Sequence, residues 1–331
     1  MSLGPIGSPW FLFLAVAILA AVGWSLRAGE PRGIPRLVVI DVGIMALIGG
    51  VVGGRVHHAL FEPLPADLLG PAEVQELHTA PLTPAERARL APALAAGRVP
   101  AGWLFAAAMP PGRWREATVA RLAEDPAEVP VRWWYAARPG QLLAIWKGGF
   151  GFLGGLLLSS LLAILVIRRH GASVAQVADL AAPAVALGLA IGRLGCFVSG
   201  CCYGEACPPT WSVAPPWWGG GPPYDVPRWP TALLEAAWAL LLFFVLRRAS
   251  RPGPGAPPGQ GFLLLLWLYA PGRFLLEGLR GDPRGGLLGL STSQWLVLLT
   301  GLPALVAWGV RARRGPARPP AQPLHDPIST R

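Results

Sequence analysis

The chain has 331 residues, of which 53% are hydrophobic and 14% charged, and its formal charge is +10. Soluble domains carry about 25% charged residues, so composition excludes a soluble domain and points to an all-α polytopic membrane protein. The basic excess is arginine, Lys147 being the single lysine. With no nucleic-acid motif present, this excess reads as orientation signals and lipid-headgroup contact, and no nucleic-acid partner is expected.

A bilayer core takes a helix of about 20 apolar residues. Seven runs qualify in chain order: Trp10–Leu26, Leu37–Phe61, Leu142–Ile167, Val174–Ser199, Pro230–Leu246, Phe262–Leu279 and Leu287–Val310. The organisation is therefore 1–61 for spans one and two, 62–141 as an insert, 142–310 for spans three to seven, and 311–331 as a Pro- and Arg-rich tail expected to be disordered. Arg27, Arg32 and Arg36, then Arg168 and Arg169, then Arg247, Arg248 and Arg251, then Arg311, Arg313, Arg314 and Arg318 fall on one side of a seven-span chain. The positive-inside rule makes that side cytoplasmic, with the N-terminus outside and the C-terminus inside. No charged region precedes the first apolar run, which reads as a retained anchor rather than a cleaved signal.

The insert holds 9 of the 18 acidic residues and 8 arginines, so it is nearly neutral and reads as a water-exposed, extracytoplasmic helical segment. Ala85–Ala96 and Trp114–Ala123 read as short helices. Thr83-Pro84 supplies the first with a cap and a proline at its first position. Trp103, Trp114, Trp133 and Trp134 are candidates for an interfacial aromatic belt. The insert reads either as a small cap or as a lid that recognises the acceptor.

The most informative stretch is Gly192-Arg193-Leu194-Gly195-Cys196-Phe197-Val198-Ser199-Gly200-Cys201-Cys202-Tyr203-Gly204. A guanidinium at the end of a hydrophobic run costs a few kcal/mol and calls for an anionic partner, in a membrane most often a lipid phosphate. Other ionisable residues lie in or beside the runs: Asp41, Arg55, His57, His58, Glu235, Arg273, Glu277 and Arg280. Arg273, Glu277 and Arg280 share one helical face. In the seven-span topology Arg55, Arg193, Glu235 and the Arg273 group all point to the outer leaflet. That reads as a shared anion site, with mutual neutralisation of Arg–Glu pairs as the plainer alternative. His57 and His58 read as interfacial hydrogen-bonding groups.

These pieces resemble, in order, the prolipoprotein diacylglyceryl transferase family. Gly192-Arg193-Leu194-Gly195-x-Phe197, ending at Gly204, is similar to the family signature. Gly53-Gly54-Arg55-Val56-His57-His58, the run Trp146–Gly155, Pro230-Thr231-Ala232-Leu233-Leu234-Glu235, Tyr269-x-x-x-Arg273-Phe274-x-x-Glu277-x-x-Arg280 and Leu290-Ser291-x-x-Gln294 resemble further family segments. The resemblance implies transfer of a diacylglyceryl group from phosphatidylglycerol to the lipobox cysteine of a preprolipoprotein signal peptide, releasing glycerol phosphate, in the bacterial inner membrane. It implies Arg193 and Arg273 as catalytic phosphate clamps and Tyr269 as a donor to the headgroup. Arg55, Glu235, Glu277 and Arg280 would hold the clamps, and Gly204 would permit close backbone approach. It calls for no metal and no organic cofactor.

The chain departs from the family pattern at Leu153, where histidine or tyrosine is usual, at Cys196, where asparagine is common, and at Cys201, where an acidic residue is common. The early Trp-Tyr-Gly is represented by Trp10-Phe11. The Gly-Cys-Phe…Gly-Cys-Cys-Tyr-Gly wording resembles a divergent branch of the family. The acceptor of the thiol proton stays open between Glu235, His57, bulk water and an acceptor that arrives ionised. Cys196, Cys201, Cys202 and Cys207 read as disulfide or small apolar packing, with Cys201 or Cys202 to Cys207 closing a small loop. Their spacing matches no standard zinc pattern and no histidine stands near. Two other functions stand beside transfer: a thiol-redox membrane enzyme using the Cys196–Cys207 cluster, and a lipid-binding paralogue without chemistry.

Overall fold

The computed structural model describes residues 9–62, 64, 71–124, 129–144, 150–215, 225–250, 257–281 and 286–313. Trp146-Lys147-Gly148-Gly149 and the tail from 314 onward lie outside the described residues. Twelve helices dominate the rest: α1 Pro9–Gly29, α2 Arg36–Phe61, α3 Pro71–Thr79, α4 Pro84–Ala95, α5 Gly102–Ala108, α6 Arg113–Glu124, α7 Val131–Ala137, α8 Phe152–Arg169, α9 Val174–Val198, α10 Thr231–Ala249, α11 Gln260–Glu277 and α12 Thr292–Arg313. A two-stranded antiparallel pair, β1 Gly286–Leu287 with β2 Leu290–Ser291, precedes α12. The chain is thus an all-α membrane protein.

Among the described residues five helical segments are long and apolar enough to cross a bilayer: Phe11–Arg32, Arg36–Phe61, Phe152–Arg169, Val174–Val198 and Thr292–Arg311. The other two apolar runs became α10 and α11 and stand outside that group. Alpha-ten carries Glu235, Arg247 and Arg248, and α11 carries Arg273 and Glu277; each charge lowers the apolar character that a span needs. Two run boundaries moved. Leu142–Ala144 close a 3-10 turn, and the third helix begins at Phe152. The last begins at Thr292, because Leu288 and Gly289 take positive φ (54° and 76°) and turn the chain back through β1 and β2. Two left-handed residues in a row are the signature of a tight hairpin turn.

One compact unit comprises Gly7–Asp41 and Val166–Arg331. In it α9 packs on α1, α10 and α11, and α11 packs on α12. Small residues make this possible: Ala182 and Ala186 of α9 are buried against Leu242, Phe243 and Leu246 of α10 and Leu265 of α11. Small side chains bring helix backbones close enough for dispersion to hold them in lipid. Asp179 of α9 accepts the backbone N–H groups of Gly259 (2.7 Å) and Phe262 (3.0 Å), capping the start of α11 from another helix. Ser291 and Gln294 form a reciprocal cap at α12: Gln294 N donates to Ser291 Oγ (3.2 Å) and Ser291 N to Gln294 Oε1 (2.9 Å).

The second unit spans Val42–Leu165. Glycines let α2 and α8 meet backbone to backbone. A Cβ on Gly53 would stand 2.3 Å from the Gly154 carbonyl oxygen, and one on Gly154 would stand 2.3 Å from that of Gly53. Helices α3 to α7 enclose their own core, which includes Leu77, Leu90, Val119, Leu122 and Trp103. Trp103 is 1% exposed, so it is a core residue and not part of an aromatic belt; a core of five short helices needs its largest apolar group at the centre. The Thr83 cap is a full capping box: Glu86 N donates to Thr83 Oγ1 and Thr83 N to Glu86 Oε2.

Candidate functional site

The first unit gathers the charged ends of three helices around one carboxylate. Glu235 lies in the opening turns of α10 and is 1% exposed. Its Oε1 meets Arg193 Nη2 from the end of α9 at 3.0 Å and Arg273 Nε from α11 at 3.7 Å. Its Oε2 meets Arg280 Nη1 at 3.9 Å. Tyr269 donates its hydroxyl to Glu235 Oε1 at 2.9 Å. A buried carboxylate costs several kcal/mol unless its partners replace water, and here three guanidinium groups and a phenol do so.

Arg273 has further anchors. Its Nη1 pairs with Glu277 Oε2 one turn along α11 at 2.5 Å, and its Nη2 donates to Ser293 Oγ of α12 at 3.0 Å. Arg273, Glu277 and Arg280 are all buried. Five groups, three cationic and two anionic, thus share a low-dielectric environment, and among these five one positive charge is in excess. Fixed guanidinium forks in such surroundings are suited to a phosphate, whose oxygens they contact in pairs.

The backbone that holds Arg280 explains Gly204. The chain after α9 and the chain after α11 form a bridge at Gly204 and Arg280. Gly204 N donates to the Trp229 carbonyl (3.1 Å), Glu205 N to that of Leu279 (2.9 Å) and Gly281 N to that of Tyr203 (3.2 Å). A Cβ on Gly204 would stand 2.5 Å from the Trp229 oxygen and 2.9 Å from the Leu279 oxygen. The close approach at Gly204 is therefore made by the protein's own strands of backbone.

Sequence reasoning brought Arg193, Arg273, Tyr269, Glu235, Glu277 and Arg280 to one list, and the fold brings all six together. It missed Ser293, which fixes Arg273, and Thr231, whose hydroxyl donates to the Cys202 carbonyl at 2.7 Å. Ser293 lies between the two capping residues of α12, which was a usable signal. Arg55 belongs to the second unit, where it donates to the carbonyls of Gln141 (2.6 Å), Leu142 (3.1 Å) and Ala144 (3.3 Å) and lies over the Tyr135 ring. His58 Nδ1 pairs with Glu62 Oε2 at 2.6 Å, and His57 Nδ1 is 3.8 Å from the other oxygen. The histidines tie the end of α2 to the residue that follows it, in keeping with the plainer reading.

All four cysteines are free thiols, so the loop closures to Cys207 are not made. Cys202 Sγ instead accepts from Arg193 Nη1 at 3.5 Å.

Residues 120–310 match the family model described as prolipoprotein diacylglyceryl transferase. The chain belongs to that family. A phosphatidylglycerol–prolipoprotein diacylglyceryl transferase of Bordetella avium is 35% identical over 191 residues, covering 56% of this chain and 70% of the relative. One from Clostridium tetani is 35% identical over 154 residues, 46% of this chain and 60% of the relative. One from Synechococcus elongatus is 25% identical over 289 residues, 85% of this chain and 76% of the relative. The family match takes in every member of the Glu235 cluster.

Proposed function

We propose that the chain transfers the diacylglyceryl group of phosphatidylglycerol to the lipobox cysteine thiol of a preprolipoprotein and releases glycerol phosphate. The observation that carries this reading is the meeting of three guanidinium groups on the single carboxylate of Glu235. The relatives named for this reaction support it.

The chemistry follows from the charges. The thiol sulfur attacks a glyceryl carbon, the carbon–oxygen bond to phosphate breaks, and the electron pair leaves with the phosphate. Negative charge grows on the departing group, so cations fixed before the reaction stabilise the transition state more than the ground state. Arg193 and Arg273 clamp the phosphate. Glu235 holds both forks in one place, and Tyr269 turns its hydroxyl from Glu235 to the headgroup as the lipid enters. Glu277 and Ser293 fix the second clamp, and Arg280 adds charge behind them.

The same reading takes α10 and α11 as two further spans, making seven, with the N-terminus outside the cytoplasm of a bacterial inner membrane. The segment 62–141 is then an extracytoplasmic cap. The arginine clusters after α8 and α10 fall on one side under this arrangement, in agreement with the positive-inside rule.

The test is complementation of a transferase-depleted bacterium. The intact protein is expected to restore growth and lipoprotein modification, and Arg193→Ala and Arg273→Ala to fail at normal membrane levels. No rescue by the intact, inserted protein sinks the assignment.

A further inference from the structure

The cysteines that depart from the family pattern are gathered by the local backbone. The end of α9 is a Schellman motif: Gly200 takes a left-handed φ of 66°, Gly200 N donates to the Phe197 carbonyl (3.1 Å) and Cys201 N to the Cys196 carbonyl (3.1 Å). This motif brings the second residue past the helix cap back against the third residue before it. Those two residues are Cys201 and Cys196. The next residue, Cys202, also takes a positive φ, 62°, which is uncommon for a residue with a side chain and marks a constrained, often functional, position. Thr231 holds its carbonyl. The outcome is that the sulfurs of Cys196, Cys201 and Cys202 all lie within 4.8 Å of one another.

Three sulfurs at that separation suit one tetrahedral ion. Zinc–sulfur bonds of about 2.3 Å place ligand sulfurs about 3.8 Å apart, inside the 4.8 Å within which the three lie. A disulfide would use two of the three; an ion uses all. Three thiolates around Zn²⁺ carry one net negative charge, and Arg193, 3.5 Å from the Cys202 sulfur, offsets it. Cys201 is exposed while Cys196 is buried, so the cluster has an open side. Three protein ligands with a vacant fourth position are the pattern of a catalytic rather than a structural zinc.

We infer that Cys196, Cys201 and Cys202 bind Zn²⁺ and that the open fourth position takes the acceptor thiol, presenting it as a thiolate beside the Arg193 clamp. This deepens the transferase reading and rests on it. Coordination removes the thiol proton outright, and that proton goes to solvent. The zinc-held sulfur then forms its bond to the glyceryl carbon, the carbon–oxygen bond breaks, and glycerol phosphate leaves with the electron pair. The thioether product is a poorer zinc ligand than a thiolate and departs. A base at the Leu153 position is then unnecessary. The Cys-x-x-x-x-Cys-Cys spacing carries no metal signal, because two left-handed residues, not a regular element, bring the ligands together.

The experiment uses the full-length protein purified in detergent without chelator. Elemental analysis is expected to find about one zinc per chain, lost in Cys202→Ser. Replacement by Co²⁺ in the unaltered protein is expected to give the intense near-ultraviolet absorption of cobalt–thiolate bonds with tetrahedral bands in the visible. A lipobox peptide is expected to shift the visible bands, and the same peptide with serine for cysteine is not. Absence of zinc together with absence of cobalt–thiolate absorption overturns the inference, as does a disulfide among the three cysteines found by mass spectrometry. Undiminished transfer by zinc-free protein overturns the role of the ion and leaves the transferase reading intact. A zinc site with the peptide-dependent shift but no transfer supports the site and counts against the reaction.

Discussion

Two buried carboxylates in this chain meet arginine in opposite ways. In the insert, Glu86 pairs with one guanidinium: Arg115 Nε reaches Oε1 at 2.7 Å and Nη2 reaches Oε2 at 2.8 Å. Arg115 also donates to the Met109 and Pro81 carbonyls, and Thr83 N donates to Glu86. Charge is balanced one to one and the forks are aligned. Around Glu235 three guanidinium groups share one carboxylate, two of them at 3.7 Å and 3.9 Å. The first pair is closed on itself and joins α4 to α6. The second is shared, and its members have other partners as well: Arg273 also pairs with Glu277 and Ser293, and Arg193 with Cys202. A balanced pair is architecture, whereas the Glu235 cluster, with three guanidinium groups to two carboxylates, carries one positive charge in excess, which the proposed function assigns to a phosphate.

The contrast is sharpest in activity. Arg273→Ala is expected to lower transfer by about 100- to 1,000-fold, the usual effect of removing one preorganised donor to a developing anion, read as thioether-linked lipid on a peptide substrate. Arg193→Lys is expected to fall in the same range, because a point charge does not reproduce a planar fork. Arg115→Ala is expected to leave the chemical step alone and to destabilise the insert by about 3–5 kcal/mol through the buried, uncompensated Glu86. Limited proteolysis between residues 71 and 124 checks it. Normal proteolytic resistance of that variant would erase the distinction between the two regions.

Replacing both partners separates them further. Glu86→Met with Arg115→Leu is expected to be near neutral in thermal unfolding, since hydrophobic replacement of a closed buried pair often costs little. Glu235→Gln with Arg193→Leu is expected to abolish transfer whatever its stability. A smaller effect is the pH response of the insert. Burial raises the Glu86 carboxyl, but Arg115 and Thr83 outweigh it and hold the group below its ordinary value of 4.5. Its stabilising contribution is therefore complete above about pH 4.5 and is lost as pH falls through the lower folded value. Acid unfolding of the insert is expected to move to higher pH in Thr83→Ala, which also loses about 1 kcal/mol of capping; an unchanged acid midpoint would show that Thr83 does not hold Glu86.

Much of this was written in the chain order. Apolar runs located the seven long helices, five of them to within a few residues at both ends, while α8 began ten residues and α12 five residues later than their runs, because a long buried or lipid-facing helix needs a length of apolar sequence. Thr83-Pro84 marked a helix start through the short reach of a side chain to its own backbone. The five charged residues of the cluster, Arg193, Glu235, Arg273, Glu277 and Arg280, were also legible, since charge beside an apolar run is costly enough to need a purpose, whereas Tyr269 was marked only by the family resemblance. The ladder before α12 was not, because four residues around a turn carry no periodicity. Trp103 was misplaced for a related reason: tryptophan suits both an interface and a small core, and only its neighbours decide which.

By itself, then, the sequence determined that the chain is a helical membrane protein, where its helices lie, and which arginines and glutamates carry cost. Those are properties of short stretches, settled by composition and period. Tertiary structure decided that Glu235 is the hub, that Ser293 holds Arg273, that Gly204 is pressed between two carbonyls and that Cys196, Cys201 and Cys202 converge. Each of these depends on distances between residues far apart in the chain, or on backbone angles that residue types only permit. Packing alone selects among them.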